Sequence, residues 1–253
     1  MGIVSLLPSS PHLDTTSLKV LKLDGPPGPN QERQDQPHAH EIYELLGSEE
    51  LLVPDLGGDR VYRLRRSSET GHWALYSFIS YPAGYGPRNA AVYNGILYTL
   101  QELKPSVAFC ELPSGPETTS VASEKVVPTT FEVQPPAVLG ALILIPELNE
   151  TYAVPYIYTS NRDIPSDAGD TIAIMTTAPD VKLIAEVSTG LRHVRGMQFG
   201  GPGNKWLIAG GANIWNAASG GGVKIFERVD GGKGLKEIAY LEDDIRPTGF
   251  LWL

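Results

Sequence analysis

From Glu41 onward the chain repeats one short phrase: an apolar run, a turn built from Gly, Pro or Asp, then another apolar run. The runs are Ile42–Leu46, Leu51–Pro54, Arg60–Leu64, Trp73–Ile79, Ala90–Val92, Ile96–Leu100, Val107–Leu112 and Val121–Phe131. They continue through Leu139–Ile145, Tyr152–Tyr158, Thr171–Met175, Val181–Val187, Gly196–Phe199, Lys205–Ala209, Val223–Val229, Leu235–Leu241 and Thr248–Leu253. Nearly all are too short for a helix of ordinary length, and most stop at a helix breaker. The pattern predicts an all-β protein.

The runs fall into fours. Sets begin near Glu41, Ala90, Leu139 and Gly196, a period of roughly 50 residues, which suits a four-stranded propeller blade. The second strands align as Leu51–Leu56, Ile96–Glu102, Tyr156–Arg162 and Trp206–Gly211, and the third as Asp59–Leu64, Ser106–Leu112, Asp170–Met175 and Gly222–Arg228. A fifth blade is expected from both termini, with Ile3–Leu7 and Leu18–Leu23 as second and third strands and Thr248–Leu253 as the first. A ring closed in this way has no open edge. A partial propeller uses the same strands, while a two-sheet sandwich leaves the period unexplained. The whole of 1–253 is expected to be one β-propeller domain.

The N-terminal stretch is the least regular. Pro26, Pro27, Pro29 and Pro37 flank the polar run Asn30–Gln36, so residues 24–37 are expected to be a linker or a loop, ordered across a surface or mobile. In Leu18–Leu23 the apolar parity slips at Val20–Leu21, which predicts a strand with a possible bulge.

Composition narrows the function. Twenty Lys and Arg against 29 Asp and Glu give a formal charge of −9, an argument against a nucleic-acid face or a polybasic membrane patch. One cysteine excludes an internal disulfide framework and a thiolate-rich zinc site. No run approaches the roughly 20 apolar residues of a membrane helix, and the N-terminus lacks the basic start of a signal peptide. A cytoplasmic protein, monomer or homodimer, is the expectation.

Several segments then stop looking generic: Asn30–Gln34, Pro37–Ile42 with its His-Ala-His-Glu, Leu52–Val61, Gly86-Pro87-Arg88, Glu102, Ser160-Asn161-Arg162, Val187–Gly190, Arg192-His193 and Pro247–Leu253. Together they resemble the lactonase family of β-propellers, which contains bacterial 6-phosphogluconolactonases and fungal carboxy-cis,cis-muconate cyclases. The resemblance spans residues 17–253, and its opening and closing motifs look more like the fungal cyclases. That family is usually seven-bladed. Where it commonly has Pro-Arg-His and Asn-Glu, this chain has Pro87-Arg88-Asn89 and Gln101-Glu102.

The resemblance implies an axial site. His40 and Glu102 align with catalytic positions, and Arg88 and Arg162 with substrate-binding arginines; Arg192 and His193 sit where Arg88 and Asn89 sit in their own blade. The chemistry is consistent with those residue types. A small anionic substrate needs fixed cations, and guanidinium groups offer paired donors that stay charged. Closing a carboxymuconate to its lactone requires a proton at carbon, which His40 or Glu102 could supply; hydrolysing a lactone requires one of them to activate water with an arginine on the oxyanion. Neither route calls for a metal or another cofactor. The expected activity is a lactonising cyclase or a lactonase, with a sugar-lactone hydrolase or a non-catalytic propeller binding an anionic metabolite or a protein as alternatives.

Other candidates have plainer readings. His38 and His40 share one face of an extended segment, but no third metal ligand stands at motif spacing. Asp55 and Asp59 around Gly57-Gly58 read as a tight turn. Cys110 reads as a buried small side chain. Gly200–Gly203, Gly210-Gly211 and Gly220–Gly222 lack the Lys-Ser/Thr of a phosphate loop and read as turns. Arg192, His193 and Arg195 form the densest basic cluster, either facing the axis or exposed on a loop.

Overall fold

A computed structural model describes residues 2–6, 19–69, 71–213 and 220–252. Leu7, Leu18 and Leu253, at the ends of expected strands, lie outside these residues. The chain forms a succession of small sheets, each laid face to face on the next. The N-terminal sheet pairs β1 (Gly2–Leu6) with β2 (Lys19–Leu23). Blade one contains β3 (Tyr43–Leu45), β4 (Glu50–Asp55), β5 (Arg60–Arg66) and β6 (Trp73–Ser80). Blade two is built from β7 (Pro87–Tyr93), β8 (Ile96–Gln101) and β9 (Ser106–Glu111). The following connection first adds β10 (Thr119–Ser120) parallel to β6, and then supplies β11 (Val126–Pro128) as the fourth strand of blade two. Blade three has β12 (Leu139–Leu144), β13 (Tyr156–Arg162), β14 (Thr171–Thr176) and β15 (Leu183–Ser188). Blade four has β16 (Gly196–Gly200), β17 (Trp206–Gly211), β18 (Gly222–Val229) and β19 (Gly234–Leu241). Apart from β10, neighbouring strands within each blade run antiparallel, in the order expected of a propeller.

The core is a series of interblade layers rather than one centre. Val4 and Leu23 pack on Val53, Tyr62 and Leu64; Leu52, Val61 and Ile79 pack on Ala90, Leu97 and Ala108. Further round, Tyr98, Leu100 and Val107 meet Ile143, Ile157 and Met175, while Tyr158, Ile172 and Ile174 meet Met197, Phe199 and Leu207. Ile157 and Tyr158 are adjacent in β13 and point to opposite layers, so every residue of that strand is buried. This explains why the second and third strands read as apolar runs without clean alternation. Complete burial stabilises each such aliphatic or aromatic side chain by about 1.5–3 kcal/mol.

Three expectations change. The bulge at Val20–Leu21 is absent: Val20 pairs with Ser5 and Leu21 with Val4 in unbroken register. The parity slip instead reflects facing, with Leu23 buried against blade one while Val20 is exposed. Val121–Phe131 is not one strand, because a short 3-10 turn at Ser123–Lys125 leaves only three residues for β11. The C-terminal residues 246–252 form no strand, so the expected closing strand beside β1 is not formed among the described residues. They cross blade four instead, with Pro247 and Phe250 against Gly196 and Gly210, and Trp252 over Gly200 and stacked with Trp206 at 6.2 Å.

That crossing also corrects the reading of the glycines. Gly210 and Gly211 lie inside β17, where the absence of a Cβ admits Pro247 and Phe250 at the first and the Leu191–Arg192 segment at the second. Gly200→Val is expected to push Trp252 off the sheet and cost about 1–3 kcal/mol, the usual range for overpacking. A lower denaturation midpoint, with loss of the near-ultraviolet dichroism of the Trp206–Trp252 pair, checks this.

Candidate active site

The candidate side chains come from the loops that enter each blade's first strand and from the ends of the second strands, and carboxylates fix several of those loops. Asp59, just before β5, accepts backbone N–H bonds from Gly84, Tyr85 and Gly86 at 2.7, 3.1 and 2.8 Å. Asp170, just before β14, accepts those of Ile164 and Val194 at 3.0 and 2.8 Å, and burial pushes its carboxyl up to about 6. The first pin sets the loop that carries Arg88 and the second the loop that carries His193 and Arg195. Asp55 accepts from His38 and Gly57 at 2.6 and 3.0 Å. The expected Asp55–Asp59 turn is present, with Asp59 at φ 50, but the Asp59 carboxylate acts beyond its own turn.

Arg88 is the extra residue of a β-bulge: Pro87 pairs with Gln101 and Asn89 with Leu100. Bulges re-aim a side chain. Here the Arg88 side chain turns inward, and its Nε donates to the carbonyl of Ala141 at 2.6 Å, within a second irregularity between Gly140 and Leu142 of β12. Glu102 directly follows β8 and is completely buried. Its backbone is held on both sides, N–H to Gly86 and carbonyl to the N–H of Gly140, at 2.8 and 3.0 Å.

Three guanidinium groups meet the Glu102 carboxylate. Arg33 and Arg88 donate to its two oxygens, and Arg162, the last residue of β13, donates to Oε1 at 3.1 Å. His40 completes the group, with Nε2 2.6 Å from an Arg88 guanidinium nitrogen and 3.9 Å from Glu102 Oε2. Arg88 and Arg162 are 6% exposed, whereas Arg33 and His40 are 39% and 30% exposed and form the solvent side of the cluster. His40, Arg88, Glu102 and Arg162, far apart in sequence, are therefore brought together.

The charges set the protonation states. Burial pushes the Glu102 carboxyl up, but Arg88, Arg162 and Arg33 outweigh it and hold the group below its ordinary value. Burial brings Arg88 down to about 10, against the pull of Glu102. His40 is lowered to about 4, by burial first and the Arg88 charge second. A neutral His40 has one ring N–H, and Arg88 donates to Nε2, so the proton belongs on Nδ1. We expect the His40 imidazole to titrate near pH 4 in a ring-nitrogen NMR spectrum; a midpoint near 6.5 would mean that the Arg88 contact does not persist in solution.

Arg33, Gln34, Arg195 and Asp163 extend this network. Arg33 stands in a turn where its N–H bonds the Asn30 carbonyl at 3.1 Å. The neighbouring Gln34 is fully buried and donates to the Leu56 carbonyl at 2.9 Å, which holds this proline-flanked loop against blade one. Arg195 acts on His40, Arg88 and Arg162 through its charge. Asp163 joins two candidates: it accepts from Arg162 at 2.7 Å and lies 2.7 Å from His193 Nδ1. Arg192 goes elsewhere, with its stem against Gly220. His38 pairs with Asp35 at 2.9 Å while His40 faces Arg88, so the two imidazoles do not converge. Cys110 is half-buried rather than fully buried, and burial pushes its thiol up to about 11.

Similarity to known proteins agrees with this architecture. The profile described as Lactonase, 7-bladed beta-propeller, matches residues 2–230. A protein of Arthroderma benhamiae named "Probable 6-phosphogluconolactonase" is 27% identical over 199 residues, which cover 77% of this chain and 49% of that protein. Thus the chain spans about half the length of that curated relative. Among solved structures, a "putative 6-phosphogluconolactonase" of Bacteroides fragilis superposes with a TM-score of 0.74 at 20% identity, covering 98% of this chain and 66% of its own. A periplasmic gluconolactonase of Pseudomonas aeruginosa gives 0.67 at 18% identity, covering 95% and 66%. These two structures establish the propeller-type fold. With the family profile matching most of its length, the chain belongs to the lactonase family of seven-bladed β-propellers.

Proposed function

We propose that the protein hydrolyses a lactone bearing a phosphate or carboxylate, of the 6-phosphogluconolactone class. The observation that carries this reading is the gathering of Arg33, Arg88 and Arg162 on the single carboxylate of Glu102, which leaves positive charge beyond what that carboxylate neutralises. Partly exposed Arg33 is the group best placed to meet an incoming anion. The buried Nε of Arg162 has no partner among the described residues and can donate to a bound oxygen. The lactonising cyclase expected from the closing motifs would use the same arginines, but similarity to proteins named as lactonases favours opening a ring over closing one.

In this reading Glu102 and His40 hold the cations. Glu102 stays ionised beneath three arginines, and the lone pair of His40 Nε2 is directed at Arg88. Neither is free to take a proton from water.

The test is hydrolysis of 6-phospho-δ-gluconolactone, followed as acid release above the spontaneous rate. Arg33→Ala is expected to raise KM about 10- to 100-fold with kcat nearly unchanged, the usual effect of losing one charged hydrogen bond. A wild-type protein that binds 6-phosphogluconate without accelerating ring opening would be a binding propeller, and the hydrolase reading would fall.

A further inference from the structure

Beyond the arginine cluster, a second polar chain begins at Arg162. Asp163 accepts one Arg162 guanidinium N–H on Oδ2 and faces His193 Nδ1 with Oδ1, both at 2.7 Å. Burial raises the Asp163 carboxyl, but the His193 hydrogen bond and the Arg162 charge outweigh it and keep the group ionised. An ionised carboxylate can only accept, so Nδ1 of His193 carries a proton towards it, and in that tautomer Nε2 keeps its lone pair. Among the described residues nothing takes up that nitrogen. This is the reverse of His40, whose Nε2 is engaged by Arg88.

The backbone around the pair is held in an uncommon conformation. Asp163 and His193 both have left-handed φ values, 64 and 52. Hydrogen bonds fix the His193 segment on both sides: Arg192 N–H to the Gly220 carbonyl at 2.8 Å, Ala212 N–H to the Arg192 carbonyl at 2.7 Å, and Val194 N–H to Asp170 at 2.8 Å. The side chain is 12% exposed. A conformation held this firmly fixes where the ring points, as a proton-transfer group requires.

We propose that His193 is the general base of the reaction, with Asp163 as its positioning residue; this rests on the lactone-hydrolase reading above. Nε2 takes a proton from water as the water oxygen forms its bond to the lactone carbonyl carbon. The carbonyl π electrons move to oxygen, where an arginine N–H receives the charge. When the tetrahedral intermediate collapses, the C–O bond to the ring oxygen breaks, and that oxygen takes the proton back from the His193 imidazolium. The net change is addition of one water to give a hydroxy acid, which then ionises.

The experiment compares wild type, His193→Gln, His193→Gly and Asp163→Asn on 6-phospho-δ-gluconolactone, with 6-phosphogluconate binding measured by calorimetry. General-base catalysis is worth about 10²–10⁴-fold. The expected result is a kcat loss of at least about 100-fold in both His193 variants, with KM and product affinity within about threefold. Left-handed φ suits glycine, so His193→Gly is expected to fold, and added imidazole should restore part of its rate. Asp163→Asn should likewise lower kcat while sparing KM. Unchanged kcat in both His193 variants, or a rise in KM alone, would overturn the proposal and leave the hydrolase reading standing. An inactive wild type would overturn both.

Discussion

Glu102→Ala is expected to destabilise the fold by about 3–5 kcal/mol and to abolish catalysis. The magnitude follows from what the substitution leaves behind. Arg88 and Arg162 are almost completely buried and would keep their charges with their shared carboxylate gone, and removing one partner of a buried ion pair costs this much. Arg33, half in solvent, can swing away; the other two cannot. Glu102→Gln keeps the volume and one acceptor but not the charge, so it should fall between alanine and wild type. Urea denaturation of the three proteins checks the ordering, and an unchanged midpoint for Glu102→Ala would show that the cluster contributes nothing to stability.

The same cluster predicts how stability depends on pH. Because Glu102 has a lowered folded-state pKa, its contribution is complete above its unfolded value near 4.5 and is lost as pH falls below it. His40 acts in the same direction: between about 6.5 and about 4 the unfolded imidazole protonates while the folded one resists, so acid again favours unfolding. Asp170 opposes both, since a carboxyl raised to about 6 makes the fold more stable as pH drops from there towards 3.8.

The blades were legible because the sequence repeats their construction. The second strands of all four blades, and the third strands as well, appear as apolar runs punctuated by turns, since a blade buried on both faces demands them. His40, Arg88, Glu102 and Arg162 were reached only through a resemblance, because nothing local distinguishes an axial arginine from one in a surface ion pair. Arg33 was hidden in a polar, proline-flanked run whose order depends on Gln34 filling a buried slot, a contact made across the fold. Nothing in the sequence marks Asp163 beyond its place next to Arg162. Only the left-handed turn that brings His193 to its other oxygen gives it a second role. The closing strand failed for a related reason: the apolar run Phe250–Trp252 fits a strand, but the glycines of blade four give its rings a place to pack without pairing.

Glu50→Ala should be the other severe substitution, costing about 3–5 kcal/mol while leaving kcat near wild type. Glu50 begins β4 and pairs with Arg63 of β5 through two contacts, Nε to Oε1 at 2.6 Å and Nη2 to Oε2 at 3.1 Å, and both side chains are at most 2% exposed. Arg63 then reaches outward to the carbonyls of Gly115 and Pro113, each at 2.7 Å, so the pair also anchors the connection that carries β10 onto β6. Without Glu50, Arg63 would remain buried with an uncompensated charge, and Arg65, the second cation on that carboxylate, has the same sign and can only turn away to solvent. Hydrogen exchange should therefore quicken first at Val121, whose N–H bonds Ser80 across this junction. The double variant Glu50→Leu/Arg63→Met separates charge from packing. It removes both ions together and should recover much of the lost stability, since apolar replacement of a complete buried pair is often near neutral. Persistently fast exchange at Val121 in that double variant would assign the anchoring to the carbonyl contacts of Arg63 rather than to its pairing with Glu50.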